Sequence, residues 1–209
     1  MWKLFKKCFG KQRVQACNMT AVFLKSSIEV QGILGKPACV ALLQDVLTAL
    51  ADETTDDNGD GVYARLRVDN RPLSDYVANR LQTTLPGCTV NSKWFYTKYN
   101  TGGCIEPHVD GHVFSDGRKS IATVLLYLTD GFVGGNTQIY DDDETIKLVK
   151  PIAGNALLLP PTVLHAGTDV TSGGPKVIAR SDIFLVSPRA HPRRSRRWRA
   201  AGHLLLHLP

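Results

Sequence analysis

Three side chains, at positions 108, 110 and 165 of this 209-residue chain, have the types and settings that could hold a metal ion. The stretch CIEPHVDGHVF, residues 104–114, sets His108, Asp110 and His112 two apart. On a strand running into a turn, alternate side chains share a face, so all three point the same way. By itself an H-x-D is weak evidence, since His and Asp near a turn are usually just solvated. His165 adds weight, because it follows the apolar run LLLPPTVL and so stands at the rim of a core strand. Two imidazoles and one carboxylate make a facial triad that suits Fe(II) and leaves coordination positions open, as an oxygenase requires. His112 shares the face of His108 and could join or replace Asp110, but an open site needs no fourth protein ligand. It is expected beside the metal or in solvent.

Downstream, Lys176 lies eleven residues after His165, and Arg180 lies four further on. Both belong to one face of a strand, with Ile178 between them. A cation facing a cavity can anchor a carboxylate through a charge-assisted bond, roughly twice as strong as a neutral one. Strand geometry separates the two by about 13 Å, so only one can be the main anchor.

The elements that must position these residues are of two kinds. In ACVALLQDVLTALAD, Leu43, Val46, Leu47 and Leu50 form the apolar stripe of a helix over 38–52. In PLSDYVANRLQTTLPG, residues 72–87, Leu73, Val77, Leu81 and Leu85 predict a second helix, stopped by Pro86-Gly87. From residue 93 the texture changes to short β-branched and aromatic runs: KWFYTKYN, SIATVLLYLTD, NTQIYD, TIKLVKPIAGNALLLPP and KVIARSDIFLVS. Such runs, punctuated by Gly, Pro and Asp, predict an antiparallel sandwich or barrel. In ATVLLYLTD, Thr123, Leu125 and Tyr127 share one face while Val124, Leu126 and Leu128 share the other, which predicts a central strand. Between the helices, DETTDDNGDGVYARLR resembles a calcium loop at Asp56, Asn58, Asp60 and Gly61, but Arg67 occupies the position of the bidentate Glu. It reads as an acidic surface loop.

With 43% hydrophobic and 21% charged residues, the chain has the composition of one globular domain. Its net charge of +6 belongs to the ends. Eleven of the 25 Lys and Arg fall within residues 1–13 and 189–199, where there is no acid, leaving 14 bases against 19 acids, about −5, elsewhere. Five cysteines, odd in number and without a C-x-x-C pair, together with a first segment that lacks a secretory pattern, point to a reducing intracellular compartment, cytoplasmic or nuclear. No apolar stretch approaches the ~20 residues of a membrane helix. Trp2, Leu4, Phe5 and Phe9 among lysines could form a short amphipathic segment at a membrane surface, with a solvated terminus as the simpler reading.

Taken in order, YNTGGCIEPHVDGH, GRKSIATVLLYLTDGFVGGNTQIYD and VKPIAGNALLLPPTVLHAGTDVTSGGPKVIARSDIFL resemble the prolyl 4-hydroxylase-like branch of the Fe(II)- and 2-oxoglutarate-dependent dioxygenases. The resemblance spans about residues 93–187 and implies an α+β fold: a double-stranded β-helix (jelly-roll) core with supporting N-terminal helices. It implies His108, Asp110 and His165 as iron ligands. Lys176 matches the basic residue that binds the distal carboxylate of 2-oxoglutarate, although the extra residue in SGGPK keeps Arg180 in play. Tyr99 and Tyr127 match tyrosines that hydrogen-bond the cosubstrate. Asn136 stands where the family commonly has Glu. The implied cofactors are Fe(2+), 2-oxoglutarate, O2 and L-ascorbate, and the implied reaction hydroxylates a prolyl residue of a protein or peptide substrate, releasing succinate and CO2.

Two other functions compete. A nucleic-acid dealkylating oxygenase would suit the Arg-rich tail, but that class carries R-x-N-x-T-x-R on its last core strand, where this chain reads RSDIFLV from Arg180. A non-catalytic jelly-roll binding module would not require ligands and clamp to be complete. The domain reading is a basic segment at 1–20, a dioxygenase domain at 21–188 and an Arg-rich tail at 189–209, which could contact nucleic acid.

Overall fold

The computed structural model describes residues 26–52, 63–140 and 145–186. The basic N-terminal segment, the candidate calcium loop at Asp56–Gly61 and the arginine-rich tail lie outside the described residues. Two α-helices, α1 (Lys36–Asp52) and α2 (Arg71–Leu81), support fifteen strands among these residues. The strands are β1 (Ile28–Val30), β2 (Tyr63–Asp69), β3 (Cys88–Val90), β4 (Lys93–Tyr99) and β5 (Ile105–His108), then β6 (Phe114–Ser115), β7 (Arg118–Lys119), β8 (Ala122–Tyr127), β9 (Val133–Gly134) and β10 (Thr137–Tyr140). They continue as β11 (Ile146–Val149), β12 (Ala156–Leu159), β13 (His165–Gly167), β14 (Val170–Ser172) and β15 (Lys176–Leu185).

A major sheet runs β1, β12, β8, β15, β4, β2, with β3 also on β15, and a minor sheet runs β11, β10, β13, β5. Every pairing is antiparallel. The result is a strand-rich antiparallel jelly-roll with two supporting helices, the fold class the sequence led us to expect.

Strand alternation divides the apolar residues between two cores. From β8, Val124 and Leu126 pack with Trp94, Tyr96, Leu73, Val77 and Leu81 beneath the helices. Their neighbours Leu125 and Tyr127 face the other way and join Ile139, Val149, Leu157, Leu159 and Ile178 between the sheets. Both faces of β8 are buried, as a strand paired to β12 and β15 must be. Trp94 is wholly buried, and its indole Nε1–H donates to Ser74 Oγ at 2.9 Å, so the largest core side chain leaves no unpaired donor.

Two expectations need correction. The second helix ends at Leu81 and does not run to Leu85. Gln82 stops it: its Nε2 donates to the carbonyls of Ala78 and Cys88, and its Oε1 accepts from Gly87 N–H, which satisfies terminal groups that another helical turn would otherwise pair. Asn70 caps the other end by accepting from Leu73 N–H at 3.1 Å. The second correction concerns YARLR, read as the end of an acidic loop. Tyr63–Asp69 is β2, in full register with β4, because Ala64, Leu66 and Val68 find the helix-side core. Its alternation was hidden by the arginines between them.

The Gly134-Gly135 pair has a clear structural reason. Both residues sit at positive φ, 75° and 63°, and a Cβ on Gly134 would run into the Asp169 carbonyl. This lets Thr168 Oγ1 accept from Asn136 N–H while Asn136 O accepts from Thr168 N–H, and it aims Thr137 inward. Gly134→Ala is expected to lower stability by about 2–4 kcal/mol, read from the denaturant midpoint, because strain and backbone collision add. An unchanged midpoint would mean that the β9–β10 corner relaxes freely.

Candidate active site

His108 ends β5 and His165 begins β13, and the two strands pair with these residues directly opposite each other. Their ring centroids are 4.4 Å apart. Each ring is fixed from behind by a backbone carbonyl two residues earlier in the chain. His108 Nδ1 lies 2.8 Å from Glu106 O, and His165 Nδ1 lies 3.0 Å from Val163 O. A carbonyl only accepts, so Nδ1 carries the hydrogen and Nε2 keeps its lone pair. Burial lowers the pKa of His165, partly opposed by its carbonyl partner and Asp110, which favours the neutral ring a metal needs.

Asp110 completes the group. Its Oδ1 is 3.9 Å from His108 Nε2 and its Oδ2 is 3.9 Å from His165 Nε2, too far for hydrogen bonds. One ligand atom from each of the three residues lies within 4.8 Å of the others. Oδ2 is buried and has no hydrogen-bond partner among the described residues. A buried carboxylate oxygen without a donor is costly unless a cation completes it, so donor set and geometry fit a divalent ion. Gly111, at φ 73°, turns the chain away after Asp110. His112 leaves the group, its Nδ1 lying 2.9 Å from Ser120 O.

Arg180 accounts for the other oxygen. Its Nη2 donates to Asp110 Oδ1 at 2.9 Å and stands 4.0 Å from Asp182. Burial raises the pKa of Asp182, an effect the Arg180 charge opposes. Lys176 is different. It is 4% exposed, its Nζ lies 5.3 Å above the Tyr99 ring, and no carboxylate is within ion-pair distance among the described residues. Burial alone pulls its pKa down to about 8. Lys176 and Arg180 face one cavity of about 370 Å³ together with the triad, Tyr99, Leu125, Leu159 and Ile178.

Tyr127, expected at the cosubstrate, is not on the cavity wall. Its hydroxyl bonds Thr137 Oγ1 at 2.8 Å, and Thr137 lines the cavity in its place. Tyr99 is on the wall, and burial pushes its phenol up to about 12, so it stays protonated. Sequence reasoning missed Thr123, Thr137 and Arg65 as wall residues. Period-two alternation could have found Thr123 and Thr137, which face the cavity from β8 and β10.

The sequence model described as the 2OG-Fe(II) oxygenase superfamily matches residues 94–181. A search of curated proteins finds no match. Among solved structures, the viral collagen prolyl hydroxylase of Paramecium bursaria Chlorella virus-1, in its 2-oxoglutarate complex, superposes with a TM-score of 0.58 at 20% identity, covering 78% of this chain and 97% of its own. The Trichoplax adhaerens prolyl hydroxylase, in complex with a hypoxia inducible factor oxygen degradation domain peptide fragment, gives 0.59 at 16%, covering 77% and 84%. The 2-oxoglutarate-dependent epimerase SnoN of nogalamycin biosynthesis gives 0.61 at 17%, covering 77% and 76%. The chain thus matches the 2OG-Fe(II) oxygenase superfamily in sequence over residues 94–181 and shares the fold of these solved structures over more than three quarters of its length.

Proposed function

We propose that the protein is an Fe(II)- and 2-oxoglutarate-dependent dioxygenase that hydroxylates a protein side chain, a prolyl residue by preference. The observation that carries this reading is the convergence of His108 Nε2, His165 Nε2 and the donor-free Asp110 Oδ2 on a cavity that also contains Lys176, a buried cation with no ion-pair partner among the described residues. His108, Asp110 and His165 hold the iron, and Lys176 takes the distal carboxylate of 2-oxoglutarate. A carboxylate against Nζ offsets the desolvation cost of the buried ammonium and holds its proton on to higher pH. Tyr99 and Thr137 offer hydroxyls at the cosubstrate, and Tyr127 orients Thr137. Leu125, Leu159, Ile105 and Ile178 keep water from the reacting centre. When bound, iron and 2-oxoglutarate supply the activation of O2 that puts one oxygen atom into substrate and the other into succinate.

A polypeptide substrate is supported by the T. adhaerens neighbour, whose structure is a complex with a peptide fragment. L-Ascorbate is proposed as the reductant that keeps the metal ferrous. Residues 21–188 form the catalytic domain between a basic segment, 1–20, and the arginine-rich tail, 189–209. Free Cys39, Cys88 and Cys104 fit a reducing compartment. No described helix is long and apolar enough to cross a membrane.

The test is 2-oxoglutarate turnover by the iron-loaded full chain with a prolyl-peptide pool, reading succinate and a one-oxygen mass gain on peptide. Succinate matched by modified peptide is expected. Iron-loaded, folded protein that yields neither would favour a binding module.

A further inference from the structure

One rim of the cavity carries two positive charges that form no ion pair among the described residues. β2 is the last strand of the major sheet, and on its cavity face Tyr63, Arg65 and Arg67 oppose Tyr99, Thr97 and Phe95 of β4. Arg65 is on the cavity wall. Both guanidinium groups lie over aromatic rings, Arg65 at 5.7 Å from the Tyr63 centroid and Arg67 at 5.4 Å from that of Phe95. Neither has a carboxylate within ion-pair distance among the described residues. Among the described residues, Asp110 and Asp182 face Arg180, and Asp69, one pleat repeat beyond Arg67 on β2, accepts from Ser92 Oγ at 2.9 Å.

An edge strand gains protection against stray pairing from any charged residue. Edge protection does not require two cations held over rings beside a catalytic cavity. Stacking restricts the guanidinium planes beforehand, so less side-chain freedom is lost when an anion binds, and the planar fork matches a carboxylate. One pleat repeat along β2, about 7 Å, separates Arg65 from Arg67, the spacing of alternate residues in an extended peptide. Nucleic acid would need open ring faces for base stacking, and here guanidinium groups already cover one face of Tyr63 and of Phe95.

We propose that Arg65 and Arg67 form a subsite for an acidic side chain flanking the modified residue, so that the substrate is an acidic polypeptide segment. The proposal rests on the hydroxylase reading for the position of the target residue, but binding is measurable without turnover. The probes are short fluorescent peptides with a central proline flanked by Asp, by Asn or by Lys, and a single-stranded oligonucleotide. Each is titrated into the full-length protein loaded with Mn(II) and 2-oxoglutarate. The Asp peptide should bind about tenfold more tightly than the Asn peptide, and the gap should close as salt rises from about 0.1 M to about 1 M. Arg65→Gln with Arg67→Gln should bring the ratio near one. Arg65→Glu with Arg67→Glu should reverse the preference toward the Lys peptide, a gain no misfolded protein could show. An Asp-to-Asn ratio unchanged in the Gln variant would assign the preference to other arginines and overturn the proposal, as would loss of oligonucleotide binding with peptide binding intact. A peptide bound with the expected preference but never hydroxylated would count against the hydroxylase reading and leave the subsite standing.

Discussion

Asp110→Asn is expected to bring 2-oxoglutarate turnover to background and to weaken Co(II) binding, followed by its visible absorption, by at least about a hundredfold. The carboxylate is the one anionic donor in the group, and its Oδ2 is the buried oxygen left without a hydrogen-bond partner. An amide offers a neutral oxygen at best and leaves Arg180 facing a group that cannot neutralise it. His165→Ala should match this loss, since His165 and His108 stand opposite each other at one β-pair. His112→Ala provides the contrast. Its ring is engaged with Ser120 O outside the triad, so turnover should stay within about threefold of the parent. If His112→Ala abolished metal binding while Asp110→Asn did not, the ligand assignment would be wrong.

Lys176→Met is expected to raise the KM for 2-oxoglutarate by about 10- to 100-fold, more than Arg180→Ala does. The ranking follows from their partners: the Arg180 guanidinium is already 2.9 Å from Asp110, whereas Lys176 has no acid within ion-pair distance among the described residues. A larger KM effect from Arg180→Ala would reverse the anchor assignment. Lys176→Met should also stabilise the ligand-free protein by up to about 3 kcal/mol, because burial holds Lys176 near 8 against an unfolded value of 10.5. Below pH 8 both states carry the proton and the penalty is constant. Between pH 8 and 10.5 the unfolded state binds the proton that the folded state has lost, so the parent gains stability as pH rises, and its deficit against the Met variant should close. In the parent, the KM for 2-oxoglutarate should climb above pH 8, approaching tenfold per unit, as the anchoring ammonium is lost. A deficit that stayed constant across pH 8–10.5 would refute the burial argument.

The edge strand β2 illustrates where local reading fails. Its apolar residues alternate with arginines, which in isolation resemble a solvated loop. They form a strand only because Ala64, Leu66 and Val68 reach a core built by helices on either side of it in sequence. Likewise, apolar spacing carried the second helix on to Leu85, whereas Gln82 ended it with bonds to Gly87 and Cys88 that no periodicity encodes. The strand β8, buried on both faces, was legible because alternation alone decides its two apolar sides.

For the site, the sequence by itself determined the donor types: the His-x-Asp pair, the later His at the end of an apolar run and two cations on one strand. It also determined that Lys176 and Arg180 could not both serve as anchor, since strand rise separates them. Which of the two cations is already paired was decided by tertiary structure. The pairing of β5 with β13 brings together histidines fifty-seven residues apart, and β15 carries Arg180 to Asp110 while leaving Lys176 without an ion-pair partner among the described residues. Residue type and spacing are local properties, but burial, ion pairing and the direction of a lone pair depend on what other strands bring alongside.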